Sequence, residues 1–299
     1  MTKKVELRGV LTALSTPFAD NQDVDVDLLK KVVDRSINGG VNGVVVGGST
    51  GEFALLSSEE RIELVDTVVT HTAGRVPVIA QTGATTTREA IRLSKKAQDS
   101  GADVLMLVTP YYEPLSLDET TNYIRTVADA VELPVMLYNI PGATGVNLDA
   151  DTAGSLAREF DNIHYIKDSS ANWEQALQLI HHHSDALDTI IGWDSYIYSA
   201  LVEGAAGVMA GAANVIPEEI VAVVKLIQDG QLAEGLTAWN KVYPVIDAMI
   251  SEPFIAAVKK GLDLQGFPIG LPRAPMADIS EEATARVEKA LKNLYSYAL

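Results

Sequence analysis

The stretch GVVVGGSTGEFALLSSEERIELVDTVVTHT, residues 43–72, contains one complete strand–loop–helix unit. Its first part, 43–48, is an apolar, β-branched run that predicts a buried strand, and 58–72 has the periodicity of a helix. Ser57 followed three residues later by Glu60 is a capping-box pattern, which predicts that the helix begins at residue 58. A fully apolar strand leading into a helix is typical of parallel sheets whose two faces are both covered.

This strand–helix alternation recurs eight times along the chain. The predicted strands are 9–17, 43–48, 76–82, 102–109, 134–140, 163–168, 189–194 and 207–212. The predicted helices between them include 26–38, 58–72, 88–100, 117–131 and 173–183. After the eighth unit only helices follow, at 231–250, 253–264 and 280–297. The pattern predicts an α/β fold, the (β/α)8 TIM barrel, over 1–230, with a C-terminal helical extension over 231–299. An open, doubly wound sheet is the alternative.

The composition limits what the protein binds and where it works. Of its 299 residues, 40 are acidic, 23 are basic and none is cysteine, for a net charge of -17. This negative field repels nucleic acid and anionic lipid. The lack of cysteine excludes disulfides and thiolate catalysis, and it favours a reducing compartment. No uncharged stretch, 204–217 included, reaches the ~20 residues that span a membrane. We expect a cytoplasmic protein without nucleic-acid or membrane partners.

Neither a metal nor a cofactor is indicated by the sequence. His181, His182 and His183 are consecutive, and on a helix they point about 100° apart, so they cannot converge on one ion. We expect all three at the solvated end of a helix. The glycine-rich motifs of nucleotide-binding sites are also absent.

Lys167 stands at the end of the sixth predicted strand, after the apolar residues that begin it. In a TIM barrel, functional side chains gather at the C-terminal ends of strands. A lysine buried there must lose its charge or find a partner, and an uncharged amine is the nucleophile that Schiff-base chemistry requires. The alternative is a structural lysine whose charged end reaches the surface and pairs with Asp168.

Hydroxyl groups follow three other strands. Ser49 and Thr50 lie in the glycine-rich loop after strand two, where hydroxyl and amide donors suit a carboxylate or a phosphate, although a plain turn is the alternative. Tyr112 follows strand four, and Tyr138 lies near the end of strand five. Each tyrosine can transfer a proton as a general acid and base, or it can simply pack its ring over the barrel rim.

Four strand ends, taken in order, resemble those of the dihydrodipicolinate synthase and N-acetylneuraminate lyase family. They are GSTGE at 48–52, TPYY at 109–112, YNIP at 138–141 and IKD at 166–168. The resemblance covers essentially the whole chain and includes GLPRAP at 270–275. It implies a class I pyruvate aldolase, which is a carbon–carbon lyase that uses a lysine Schiff base. The implied partners are pyruvate and an aldehyde or 2-oxo acid substrate, with no metal or external cofactor.

The same resemblance implies a role for each strand-end residue. Lys167 is similar to the family's Schiff-base lysine, and Tyr138 to its proton-transfer tyrosine. Ser49 and Thr50 resemble the pair that binds the carboxylate of the 2-oxo acid. Tyr112 resembles a tyrosine that reaches into the neighbouring subunit's site and completes a hydroxyl relay. The resemblance therefore implies a homo-oligomer, a tetramer built as a dimer of dimers.

Departures from the family pattern bear on the second substrate. Synthases of the lysine pathway carry an arginine for the carboxylate of aspartate semialdehyde where this chain has Ala143. An unpaired carboxylate would cost on the order of 1.5–3 kcal/mol there. Asp194 and Ser195 follow the seventh strand and are expected to bind substrate hydroxyls. Gly48 and Met209 are further expected substrate contacts.

These residues lead to one main hypothesis and two alternatives. The main hypothesis is a lyase or aldolase acting at the C3–C4 bond of a hydroxylated 2-oxo acid, of the N-acetylneuraminate or 2-oxo-3-deoxy sugar acid type. The first alternative is a 4-hydroxy-tetrahydrodipicolinate synthase, which condenses pyruvate with aspartate semialdehyde. The second alternative is a barrel that binds a 2-oxo acid without turning it over.

Overall fold

Eight parallel strands close into a barrel in the computed structural model, which describes residues 4–296. Each strand pairs with the next in chain order, and the eighth pairs with the first. The strands are β1 (Gly9–Ala13), β2 (Gly43–Val46), β3 (Val78–Gln81), β4 (Val104–Val108), β5 (Val135–Asn139), β6 (Ile163–Asp168), β7 (Asp188–Ile191) and β8 (Gly207–Ala210). The TIM barrel predicted from the sequence is confirmed, and the open sheet is wrong.

Twelve helices belong to the described part of the chain. They are α1 (Val26–Asn38), α2 (Ser58–Thr72), α3 (Thr87–Ser100), α4 (Leu117–Asp129), α5 (Pro141–Thr144), α6 (Ala150–Glu159), α7 (Trp173–His182), α8 (Ile197–Val202), α9 (Pro217–Gln228), α10 (Leu232–Ile250), α11 (Phe254–Leu264) and α12 (Glu281–Ser296). The capping box of α2 forms as predicted, because the Ser57 side chain accepts from the Glu60 amide and the Glu60 carboxylate accepts from the Ser57 amide.

Alternation along the strands separates the inside of the barrel from the outside. Tyr165 of β6 and Met136 of β5 belong to the apolar cluster inside the barrel, whereas Ile166 belongs to the cluster under the helices. Since side chains alternate with period two, Lys167 and Tyr138 also face inward. They are direct partners across the β5–β6 ladder. Register therefore brings the two side chains together at one end of the barrel.

Several strands end earlier than the sequence pattern predicts. The predicted first strand runs to residue 17, but β1 ends at Ala13. Beyond it, side chains replace the ladder, because the Ser15 amide donates to Asn214 Oδ1 and the Thr16 hydroxyl donates to the Gly51 carbonyl. The chain thus leaves the barrel to build the loops of its rim.

The three histidines do not all lie in solvent. His183, which follows α7, is buried, and its Nε2 lies 3.2 Å from Asp151 Oδ1. The prediction of a fully solvated helix end is therefore wrong for this residue, because α6 packs beside α7 there.

The helices after β8 share their core with the barrel. Trp239, Ile246 and Met249 of α10 and Val258 and Leu262 of α11 belong to the same apolar cluster as the helices around the strands. Among residues 4–296, no helix combines the length and the apolar character needed to span a membrane.

Candidate active site

A cavity of about 200 Å3 lies at the carboxyl ends of the strands. Six of the predicted site residues lie in its wall, namely Ser49, Thr50, Tyr138, Lys167, Asp194 and Met209. The residues that line it are Ala13, Ser49, Thr50, Tyr138, Ile140, Lys167, Ser169, Gly192, Trp193, Asp194, Met209, Gly211, Ile250 and Phe254. The position matches that of functional sites in TIM barrels.

Lys167 reaches this cavity from inside the barrel. Its side chain is almost fully buried, and Nζ lies 4.0 Å from the centre of the Tyr138 ring. Gly192 makes the room, because a Cβ there would lie 2.5 Å from Lys167 Cε. Among residues 4–296, no carboxylate lies within ion-pair distance of the amine. The amine is thus buried in the cavity without an ion pair.

Asp168 points the other way and does not pair with the lysine. Its carboxylate accepts hydrogen bonds from Asn139 Nδ2 at 2.9 Å and from the Ser170 hydroxyl at 2.9 Å. Burial raises the pKa of Asp168 above its ordinary value, and these hydrogen bonds oppose the rise. The alternative interpretation, a surface lysine paired with Asp168, is therefore wrong.

Ser49 and Tyr138 form a pair of hydroxyls beside the amine. Ser49 Oγ and Tyr138 Oη lie 3.1 Å apart and share a hydrogen bond. Ser49 is held by a tight turn, because the Gly51 amide donates to the Gly48 carbonyl at 3.0 Å. Thr50 lines the same wall, whereas Gly48 supports the turn without lining the cavity. Two hydroxyls next to an amine can both bind an anion and relay a proton.

A buried ion pair anchors this turn from behind. Glu52 and Lys259 lie 2.7 Å apart, with side chains exposed by 0% and 2%. The Glu52 amide donates to the Ser49 carbonyl at 3.0 Å, and its carboxylate accepts from the Arg273 amide at 2.8 Å. Lys259 also donates to the Leu271 carbonyl at 3.0 Å. The loop after β2 is thereby fastened to α11 and to the segment that follows it.

Asp194 is a buried acid in the cavity wall. Its two oxygens accept hydrogen bonds from the backbone amides of Gly211, at 3.4 Å, and Ala212, at 2.7 Å. Burial raises the pKa of Asp194 to about 6, although these hydrogen bonds and the charge of Lys167 oppose the rise. The carboxylate therefore ties β8 to the turn after β7.

A model of the dihydrodipicolinate synthetase family matches residues 6–294. The chain belongs to this family. Family members are class I lyases that form a Schiff base with pyruvate, and the protein is therefore an enzyme of this kind. The family resemblance seen in the four strand ends is confirmed.

Curated relatives of the dihydrodipicolinate synthetase family match over nearly the whole chain. A 4-hydroxy-tetrahydrodipicolinate synthase from Oceanobacillus iheyensis is 38% identical over 284 residues, which are 95% of this chain and 96% of the relative. The enzyme of that name from Methanocaldococcus jannaschii is 37% identical over 288 residues, covering 96% of this chain and 98% of the relative.

Solved structures of the family superpose closely on the barrel. One dihydrodipicolinate synthase crystal structure gives a TM-score of 0.92 at 36% identity, covering 96% of this chain and 99% of that one. The chloride-inhibited synthase of Acinetobacter baumannii, solved with pyruvate, gives 0.92 at 34% identity and covers 96% of this chain and 98% of that one.

Besides Gly48, three predicted site residues of this family member lie outside the lysine cavity. Ala143, on α5, lines a second cavity of about 360 Å3 that shares Ser49 and Ile140 with the first. Ser195 is half-buried in a turn behind the wall. Tyr112 is 89% exposed with a φ of 85°, and it does not line the cavity of its own chain.

The sequence analysis missed the apolar part of the wall. Ile140 follows Tyr138 by two residues, and Trp193 directly precedes Asp194. Both could have been predicted from their closeness in sequence to these site residues. Ile250 and Phe254 come from the ends of α10 and α11, and nothing in the sequence distinguishes them from core residues. Gly211 lets Phe254 approach, because a Cβ at 211 would collide with its ring.

No group of three histidine, aspartate or glutamate side chains converges as metal ligands in the part of the chain that the structure describes.

Proposed function

We propose that Lys167 is the nucleophile with which this enzyme makes and breaks the C3–C4 bond of 2-oxo acids. The observation that supports this most is the buried amine without an ion pair, set beside the hydrogen-bonded pair of Ser49 and Tyr138. The amine attacks C2 of pyruvate, and loss of water gives an iminium. The iminium withdraws electrons, so C3 can lose a proton and become an enamine.

The hydroxyls serve the other steps of this mechanism. Ser49 and Thr50 hold the pyruvate carboxylate with hydroxyl and amide donors, because an anion needs such donors where the net charge of the chain repels it. Tyr138 passes protons to the hydroxyl that leaves C2 and to the aldehyde oxygen. Tyr112 of a second copy completes the relay through Ser49, and its exposed position on an isolated chain supports this role. The active form is then at least a dimer.

4-Hydroxy-tetrahydrodipicolinate synthesis is a second candidate for the acceptor reaction. It is favoured by the names of relatives at 37% and 38% identity. Against it stands Ala143, which offers no charge to a second carboxylate. Arg273 cannot replace the missing arginine, because its guanidinium is bound to Glu60 at 2.6 Å.

A hydroxylated 2-oxo acid, cleaved to pyruvate and a hydroxyaldehyde, is the other substrate class expected from the sequence. Its support is weaker than the sequence suggests, because Asp194 already accepts two backbone hydrogen bonds and Ser195 does not line the cavity. The Schiff-base chemistry is common to both candidates and does not depend on this choice.

Borohydride trapping tests the proposed nucleophile directly. The protein is incubated with pyruvate and borohydride, and the reduced adduct is mapped by peptide mass spectrometry. We expect the label on Lys167, with none on Lys259, the other buried lysine among residues 4–296. Lys167→Arg should abolish labelling and activity together. Label at another lysine, or an active Lys167→Arg variant, would contradict the assignment.

A further inference from the structure

We infer that the acceptor aldehyde carries an apolar group, and neither a second carboxylate nor a chain of hydroxyls. This inference rests on the proposed Schiff-base function and names the substrate class of the same site. It follows from the side chains that line the lysine cavity, where C3 of pyruvate, the carbon bonded to the iminium carbon, meets the aldehyde.

The wall beyond the lysine is apolar from three directions. Ile140 comes from the end of β5, Trp193 from the turn after β7, and Ile250 and Phe254 from the C-terminal helices. Met209 completes this surface at the end of β8. A substrate group held here exchanges water for hydrocarbon and aromatic surface, which favours apolar groups and penalises polar ones.

The polar groups of the cavity have partners already. Asp194 accepts from two backbone amides, and the Ser169 hydroxyl donates to the Gly192 carbonyl at 3.1 Å. Ser49 and Thr50 are assigned to the pyruvate carboxylate. A sugar-like chain with several hydroxyls would have to share these few groups with their present partners, and each hydroxyl left without a partner lowers affinity.

Charge is equally scarce along the route out of the cavity. Lys167 and Asp194 are the only charged residues in its wall, as far as the described chain shows. The adjoining cavity, reached past Ser49 and Ile140, contains one charged residue, Glu52, whose carboxylate is paired with Lys259. A substrate carboxylate would find no cation in either space apart from the catalytic amine.

The reaction balances for such an acceptor. The enamine C3 of pyruvate bonds to the aldehyde carbon, and the aldehyde oxygen takes up a proton and becomes a hydroxyl. Water then adds to the iminium carbon and frees the Lys167 amine. The product is a 4-hydroxy-2-oxo acid with the apolar group on C4, and cleavage is the reverse reaction.

A panel of aldehydes tests the inference. Pyruvate consumption is measured with benzaldehyde, with glyceraldehyde and with aspartate semialdehyde, each as kcat/KM for the aldehyde. We expect benzaldehyde to exceed both of the others by about tenfold or more, since a single apolar contact in a pocket is worth about 10–200-fold. Glyceraldehyde or aspartate semialdehyde at an equal or higher value would overturn the inference.

Borohydride trapping in the same samples separates this result from the proposed function. If pyruvate still labels Lys167 while benzaldehyde is not preferred, the inference alone fails. If no label forms, both the inference and the proposed function fail.

Two matched variants locate the selective surface. Trp193 and Tyr243 are both aromatic and both 37% exposed, but only Trp193 lines the cavity. Trp193→Ala should lower kcat/KM for benzaldehyde by about tenfold and pyruvate trapping by a smaller factor, whereas Tyr243→Ala should change neither. Phe254→Leu provides a second, milder test of the same wall. Equal benzaldehyde kinetics in the parent and both cavity variants would overturn the assignment.

Discussion

Removing one partner of the buried pair between Glu52 and Lys259 should destabilise the protein strongly. Lys259→Met leaves a carboxylate with no solvent exposure and without its cation, 2.7 Å from where the amine stood. Breaking a buried pair in this way costs about 3–5 kcal/mol. For a chain of this length, about 2 °C is lost per kcal/mol, so the melting temperature should fall by about 6–10 °C.

The double variant Glu52→Gln with Lys259→Met distinguishes the cost of an unpaired buried charge from the general cost of substituting Lys259. Replacing both partners removes the unpaired charge, so the double variant should unfold at a higher temperature and urea concentration than Lys259→Met. An exposed pair is the control. Glu288 and Lys292 lie 2.6 Å apart with side chains 45% and 72% exposed, and Lys292→Met should lose less than about 1 kcal/mol.

The stability of the parent, Lys259→Met, the double variant and Lys292→Met is measured by thermal and urea unfolding, followed by tryptophan fluorescence. The same variants report on the loop, because the Glu52 amide bonds to the Ser49 carbonyl. The KM for pyruvate should therefore rise in Lys259→Met at temperatures where it is still folded. A Lys259→Met variant no less stable than Lys292→Met, or a double variant with the full loss of Lys259→Met, would contradict a stabilising role for the buried pair.

Three other substitutions give separate tests. Tyr138→Phe should lower kcat by about 10²–10⁴ while borohydride still traps pyruvate, and an unchanged kcat would assign the ring to packing only. Ala143→Arg should raise kcat/KM for aspartate semialdehyde relative to benzaldehyde by about 10–100-fold, measured by pyruvate consumption; a constant ratio would show that a missing cation is not what disfavours that substrate. Burial raises the pKa of Asp194 to about 6, above the unfolded value of 3.8, so this residue's contribution to stability is present below pH 4 and is lost as the pH rises to about 6. Urea unfolding at pH 4 and pH 7 should therefore show Asp194→Asn gaining stability relative to the parent as the pH rises, and a pH-independent difference would contradict the shift.

Local signals in the sequence predict the fold well. Helix α2 begins at the residue that the capping box of Ser57 indicates, and β6 has the bounds that its apolar run predicts. The errors lie at the rim, where β1 stops at Ala13 because the Ser15 amide donates to the side chain of Asn214, which follows β8. A hydrogen bond between residues about 200 positions apart leaves no local pattern.

The residues of the site likewise include some that a local sequence pattern predicts and others that it does not. Lys167 and Tyr138 end strands whose apolar alternation is visible, so the sequence predicts both, and the barrel register makes them neighbours. Phe254 belongs to a helix that looks like any amphipathic helix of the core. Only the packing of α11 over the barrel mouth, which Gly211 permits, brings its ring to the cavity.

Because Ile250 and Phe254 come from the C-terminal helices, the proposed nucleophile and part of the proposed acceptor surface are encoded far apart in the gene. Changes at these two positions alter the pocket while the strands that carry Lys167 and Tyr138 keep their sequence. A lineage of such enzymes can therefore acquire a new aldehyde without disturbing the iminium chemistry. For the same reason, a saturation library restricted to residues 250 and 254 is a compact route to enzymes that join pyruvate to acceptors of chosen shape.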